Sequence, residues 1–364
     1  MTNQIIFELI QVAIGRRTNL SHTPTAKEWE ELYRLAESQA ILGICFAGVK
    51  RLQETGYCVP APLFMQWLVI TTTIQLQNEE MDKKTAEVWA LLDKAGLGCA
   101  VLKGQGVALL YKDNPECNIN LSLLRQSGDI DVWVKGGFDV VNDFVQKTRP
   151  SDDIAYHRFH YDMYPDTEVE LHHRPTLMRN LFDDRRLQRW CDSFGADTFF
   201  MTDKGFAVPS LNFNRIFILT HIYRHFLFEG IGLRQLMDYY FVLIYQKGTD
   251  MQIDQEVNLL SKIKMERFAS AVMWVLGYVF GMEREYMLCD PNEREGRFIL
   301  KEIMQTGNFG HGDSRYIGNS KVKRMTKHGL HLLMHYPSEV LWTPVWLVYH
   351  RLWKSKKKKM SNRF

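Results

Sequence analysis

The chain has 364 residues, 46% apolar, 24% charged and 12% aromatic, a globular composition that excludes a disordered or low-complexity chain. Its six cysteines, Cys45, Cys58, Cys99, Cys117, Cys191 and Cys289, form no CxxC pair, which excludes a disulfide scaffold and the usual zinc ribbon or finger. The net charge of +3 conceals an asymmetry: residues 315–364 hold twelve Lys/Arg and one acid, so a mildly acidic body ends in a basic segment of the kind that meets nucleic acid or an anionic membrane.

The first hundred residues read as helices. Thr2 to Arg16 is one. It lacks a basic leader and carries Glu8 where a signal peptide needs apolar residues. A second starts at Thr25, an N-cap, and runs to Leu52, with Leu32, Leu35, Ala36, Ala40 and Ile44 at helical spacing. A third spans about Ala61 to Ala95, with Gly96 closing it.

The texture then changes. Cys99 to Gly104 is a short strand running into a short helix, and a polar loop leads to the strand Gly128–Val134. Gly136 and Gly137 break it, and Phe138 to Thr148 is a helix. Two alternating segments joined by Pro165-Asp166 form a hairpin. Beyond Arg174 the pattern gives a short strand pair around Phe199 to Pro209. Helices follow over Asn212–Phe228 and Leu233–Tyr245, and three or four more reach Trp353. One contains the longest uncharged apolar stretch, Phe268 to Met282, whose fifteen residues fall short of the roughly 20 that cross a bilayer. It is expected to be buried, in a cytoplasmic protein with reduced thiols.

The chemistry concentrates in Gly128-Asp129-Ile130-Asp131-Val132-Trp133-Val134. On a strand, Asp129 and Asp131 project to one face about 6.6 Å apart, while Ile130, Val132 and Val134 anchor the other. Two carboxylates so placed repel unless a cation lies between them, and they suit one or two Mg²⁺ ions. In the hairpin, Glu168, Glu170 and His172 share a face. If that strand lies beside the first, Glu170 completes a triad of acids.

Strand-Lys-Gly-helix, then Arg-x-x-Gly-Asp-h-Asp (h, apolar), then an acid-Leu-His strand, resembles the polymerase-β-type nucleotidyltransferases, and more narrowly the bacterial family of uncharacterised nucleotidyltransferases. The segment Phe217–Leu243 is similar to that family's helical part. The likeness covers about residues 25 to 250. It implies that Asp129 and Asp131 bind two metals (Mg²⁺ or Mn²⁺) and that Glu170 activates the acceptor hydroxyl or shares a metal. It also implies that Lys103 and Gly104, with Gly128 and Arg125, hold the phosphates of an NTP donor. Lys-Gly stands where the wider superfamily has Gly-Ser, so a serine contact is replaced by a point charge.

Plainer readings stand beside these. His172 is read as packing or facing substrate rather than binding metal. His221 and His225 have zinc spacing without the glutamate of HExxH, and are read as a helix hydrogen bond or site wall. Asp238 is expected to pair with Arg234 one turn earlier, with a substrate role as the alternative. The aromatic-basic stretch 337–364 reads as a last helix packed on the bundle with a solubilising tail. Membrane-interface or nucleic-acid contact are its alternatives.

The expectation is therefore an α+β protein: a small mixed nucleotidyltransferase-type sheet flanked by an N-terminal helical region and a C-terminal helical bundle. Its divisions fall at 1–96, 97–205 and 206–353, with a disordered basic tail at 354–364. The expected activity is Mg²⁺-dependent transfer of an NMP to a hydroxyl acceptor. Against it stand a degenerate nucleotide- or anion-binding module, a membrane scaffold and a metal-dependent phosphohydrolase.

Overall fold

The computed structural model describes residues 2–111, 120–151, 153–308 and 329–361. Cys117 and residues 315–328 of the basic segment lie outside them. The chain is mostly helical, with one mixed four-stranded sheet and one two-stranded sheet.

Helix α1 (Thr2–Ala13) is followed by α2 (Ala26–Ser38), which opens as expected at Thr25. The Thr25 hydroxyl accepts from the Glu28 amide while the Glu28 carboxylate accepts from the Thr25 amide, satisfying two amides that a helix start would leave unpaired. The sequence pattern predicts one helix from here past Ile44. The structure divides it, because Ala40 adopts φ 56°, and α3 (Leu42–Glu54) begins anew. Apolar spacing is blind to such a break, since both halves keep a buried face. Helix α4 (Ala61–Lys94) runs 34 residues and ends before Gly96, whose φ of 75° suits the residue after a helix.

Strand β1 (Cys99–Val101) leads into the short α5 (Lys103–Ala108), and β2 (Ile130–Val134) into α6 (Gly137–Thr148). Strands β3 (Arg158–His160) and β4 (Val169–His172) form the predicted hairpin. The sheet order is β1-β2-β4-β3, with β2 and β4 parallel at its centre and the outer strands antiparallel to them. One face carries Ile130, Val132, Val134, Val169 and Leu171, packed with Val88 and Leu92 of α4 and Val141 and Val145 of α6. The other carries Asp131, Trp133, Glu170 and His172. Trp133 stacks on Phe213 at 4.8 Å and joins this face to the main helical core.

Helix α7 (Leu181–Asp192) is one the sequence reading does not anticipate. Its segment is rich in Asp and Arg, yet Asn180 caps it, and Asp183 and Asp184 are buried among basic partners. The hairpin β5 (Phe199–Met201) and β6 (Ala207–Pro209) then precedes α8 (Leu211–Phe228) and α9 (Leu233–Tyr245). Helices α10 (Asp250–Lys262), α11 (Glu266–Phe280), α12 (Glu293–Thr306) and α13 (Pro337–Ser361) complete the described bundle. The apolar run in α11 is buried in the main core, and no described helix is long and apolar enough to cross a membrane. Helix α13 continues through Ser361, into the segment that composition marks as a disordered tail. Contacts of Trp353 and Lys357 with Phe138 supply the ordering that the lysine run does not.

Candidate active site

The parallel register of β2 and β4 sets Asp131 directly opposite Glu170. Side chains opposite one another on neighbouring strands point to the same face. His172, two residues on, shares that face. Its Nε2 is 2.9 Å from Asp131 Oδ1 and 3.1 Å from Glu170 Oε2, so one imidazole bridges two buried carboxylates. Burial alone would lower the His172 pKa, but these two bonds raise it above the ordinary value.

Lys103 completes the cluster from α5, its Nζ 2.9 Å from Asp131 Oδ2. Burial opposes the charge on Asp131. Lys103 and His172 overcome that opposition and hold the carboxyl well below the usual range. Arg158 on β3 reaches Glu170 Oε1 at 2.6 Å, and Glu168 lies further out, 3.5 Å from both Arg158 and His160.

Asp129 sits at the mouth, one residue before β2. Its carboxyl is pushed up to about 6, first by partial burial and then by the negative charges of Asp131, Glu170 and Glu168, against which Lys103 acts only in part. Two groups of ligating atoms result, each within 4.8 Å: Asp131, Glu170 and His172, and Asp129, Glu168 and Glu170. Gly104, next to Lys103, adopts φ 50° and ψ −121°, a conformation for glycine, and a Cβ there would lie 3.6 Å from the Asp129 carbonyl. Gly128 is exposed beside Arg234.

Arg125 is placed differently from the expectation. Its Nε and Nη2 donate to the two oxygens of Asp238 at 2.7 and 2.8 Å in a buried pair, and Tyr111 donates to the same carboxylate at 2.7 Å. Its guanidinium is therefore committed to the interior. Asp238 pairs with Arg125 and not, as helical spacing suggests, with Arg234. Arg234 instead donates to the carbonyls of Gln126 and Ser127. Asn78 of α4 donates to the carbonyls of Leu123 and Arg125. Side chains from α4 and α9 thus hold the loop that delivers Asp129.

His221 and His225 lie on the buried face of α8, ring centroids 4.3 Å apart. Arg224 Nη2 donates to His225 Nε2 at 2.7 Å, so the other nitrogen carries the proton and meets Glu229 at 2.7 Å. This arrangement accounts for His225 without zinc. Burial, followed by the charge of Arg224, pushes its imidazole down to about 4. Burial also holds His221 well below its ordinary value, with His225 and Lys103 adding to the effect.

Sequence reasoning missed Arg158 and His157. The second stacks edge-on against His172 at 5.2 Å. A signal for Arg158 existed: on β3 it alternates with His160, which lies opposite Glu170, so both basic residues share the face of that acid.

A mixed sheet whose parallel central strands carry acid-x-acid and a facing third acid, entered by a Lys-Gly turn, defines a nucleotidyltransferase-type fold. The particular assignment follows from comparison: the chain belongs to the uncharacterised nucleotidyltransferase family, whose model matches residues 25–281. No curated protein and no solved structure matches the chain.

Proposed function

We propose that this protein transfers a nucleoside monophosphate from an NTP to a hydroxyl acceptor and releases pyrophosphate. The observation that carries the reading is the cluster of carboxylates Asp129, Glu168 and Glu170 beside an Asp131–Glu170 pair in register. The donor set fits a hard divalent cation: carboxylate oxygens predominate, and burial together with the neighbouring acids Asp131, Glu170 and Glu168 raises the Asp129 carboxyl to about 6 despite Lys103. Asp129, Asp131 and Glu170 would hold Mg²⁺ or Mn²⁺. A bound ion supplies charge stabilisation to the attacking and leaving oxygens.

The chain's own groups would do the rest. Asp131 and Glu170 are fixed by strand register, so their positions cost no reorganisation at the moment of reaction. Lys103 would leave Asp131 for the β- and γ-phosphates of the NTP. Glu170 would take the proton of the acceptor hydroxyl as its oxygen bonds to the α-phosphorus and the bond to pyrophosphate breaks. Arg158 orients Glu170, and the buried histidines of α8 wall the acceptor side. The acceptor class is open.

A thermal-shift panel tests this, with ATP, GTP, CTP and UTP, each with and without Mg²⁺, in wild type and Asp129→Asn/Asp131→Asn. A ligand at 100 times its Kd adds about 2.7 kcal/mol. A Mg²⁺-dependent shift with one NTP, lost in the double variant, supports the reading. The absence of any shift in folded protein defeats it.

One observation favours a second reading, a binding module without transfer. The Lys103 ammonium already sits on Asp131, where catalysis needs a metal. NMP incorporation or pyrophosphate release that disappears in Asp131→Asn excludes it.

A further inference from the structure

Helix α13 has two unlike faces. Its inner face is spent on the protein. The buried Glu339 accepts from the Arg179 and Asn180 amides at 2.7 and 3.0 Å. Trp346 meets Tyr156 and the Arg179 guanidinium. Trp353 packs on Phe138 and Tyr156, and Lys357 pairs with Asp139 at 3.1 Å. Glu339, Trp346, Trp353 and Lys357 recur at intervals of seven, seven and four residues, as one side of a helix does.

The opposite side carries Leu341, Val345, Val348 and Leu352, exposed by 63%, 49%, 63% and 67%. Their spacing of four, three and four places them in one stripe, about 16 Å long. Among the described residues none covers it. Exposed Arg351 flanks the stripe, and the helix continues over Lys354, Lys356, Lys358 and Lys359.

We propose that this face docks the protein onto an anionic lipid surface, with the apolar stripe entering the headgroup boundary and the lysines meeting lipid phosphates. The charge pattern selects this occupant. A second copy of the helix would bring lysine block to lysine block, or lysines to an end whose one acid, Glu339, is buried and engaged. Nucleic acid would use the lysines but leave the apolar stripe in water. A lipid surface satisfies both, because an amphipathic helix and a basic cluster reinforce each other there. The helix is not apolar enough to span, so it would lie in the interface plane.

The test is flotation of the full chain with vesicles of phosphatidylcholine alone and of phosphatidylcholine mixed with phosphatidylserine. Three proteins are compared: wild type, Val348→Glu/Leu352→Glu, and Lys354→Gln/Lys356→Gln/Lys358→Gln/Lys359→Gln. No substitution replaces Glu339, Trp346, Trp353 or Lys357, and circular dichroism verifies that each variant folds. Wild type should float with the anionic vesicles only. The glutamate pair should abolish flotation, and the lysine set should weaken it by about fivefold per charge removed. Failure of wild type to float with either vesicle overturns the proposal. So does flotation that the glutamate pair leaves intact. Light scattering that shows a dimer dissociated by the glutamate pair, without flotation, assigns the face to self-association. Duplex DNA or RNA binding that needs the lysines but not the stripe assigns it to nucleic acid. Either result overturns the proposal too.

Discussion

Arg125 and Asp238 lie 113 residues apart, yet the guanidinium of one donates through two nitrogens to both carboxylate oxygens of the other in the interior. The pair ties the loop before β2 to α9, so the position of Asp129 depends on a contact remote from it in sequence. Asp238→Ala leaves Arg125 buried without its carboxylate and removes the acceptor of the Tyr111 hydroxyl. Breaking one side of a buried pair costs about 3–5 kcal/mol. Urea denaturation should show that loss, and Arg125→Met/Asp238→Leu should recover part of it, because an apolar pair leaves no charge stranded.

On the proposed reading, Lys103 and a metal would compete for Asp131. Lys103→Gln should therefore strengthen binding of Mg²⁺ alone, by roughly tenfold if one charge-assisted hydrogen bond of about 1.5 kcal/mol is given up. The same variant should weaken NTP binding, because the charge proposed to meet the phosphates is gone. Calorimetric titration with each ligand separates the two effects. Weakened binding of Mg²⁺ alone would contradict the competition.

Gly104 holds a backbone conformation that a Cβ makes costly. Gly104→Ala should lower stability by about 1–3 kcal/mol. It should also lower NTP affinity, because the strain lies next to Lys103. Urea denaturation and NTP titration measure the two. An unchanged Tm and unchanged NTP affinity would mean that the turn relaxes freely.

Glu339 gives a pH dependence. Burial pushes its carboxyl up to about 7 from the ordinary 4.5, although the Arg179 and Asn180 amides and the Arg179 charge oppose the shift. Between these values the folded chain binds more protons than the unfolded one, so stability falls as pH rises through the window. Relative to Glu339→Gln, the wild type should lose on the order of 3 kcal/mol between pH 4.5 and pH 7. Thermal melts of both proteins across that range measure the difference, and parallel curves would refute it.

Much of the fold was legible in the chain because local physics decides it. The capping pair Thr25–Glu28, the alternation of the β3–β4 hairpin and the long apolar runs of α8 and α9 all act within a few residues. Failures occur where local rules are silent. The break at Ala40 conserves the apolar pattern on both sides. Helix α7 buries Asp183 and Asp184 beside Arg186 and Arg174, pairings that composition alone does not specify. The order in the lysine run of α13 comes from docking on Phe138.

The acid-x-acid run leading into one strand and the acid-Leu-His strand can be read from the chain alone, since strand alternation puts Glu170 and His172 on one face without knowledge of the rest. Only the tertiary structure decided that those strands lie parallel with Asp131 opposite Glu170, that Lys103 and His172 are their counter-charges, and that Arg125 turns inward to Asp238. Such pairings join residues scores of positions apart. Their energy appears only once the intervening chain has closed and water has been removed from around the charges.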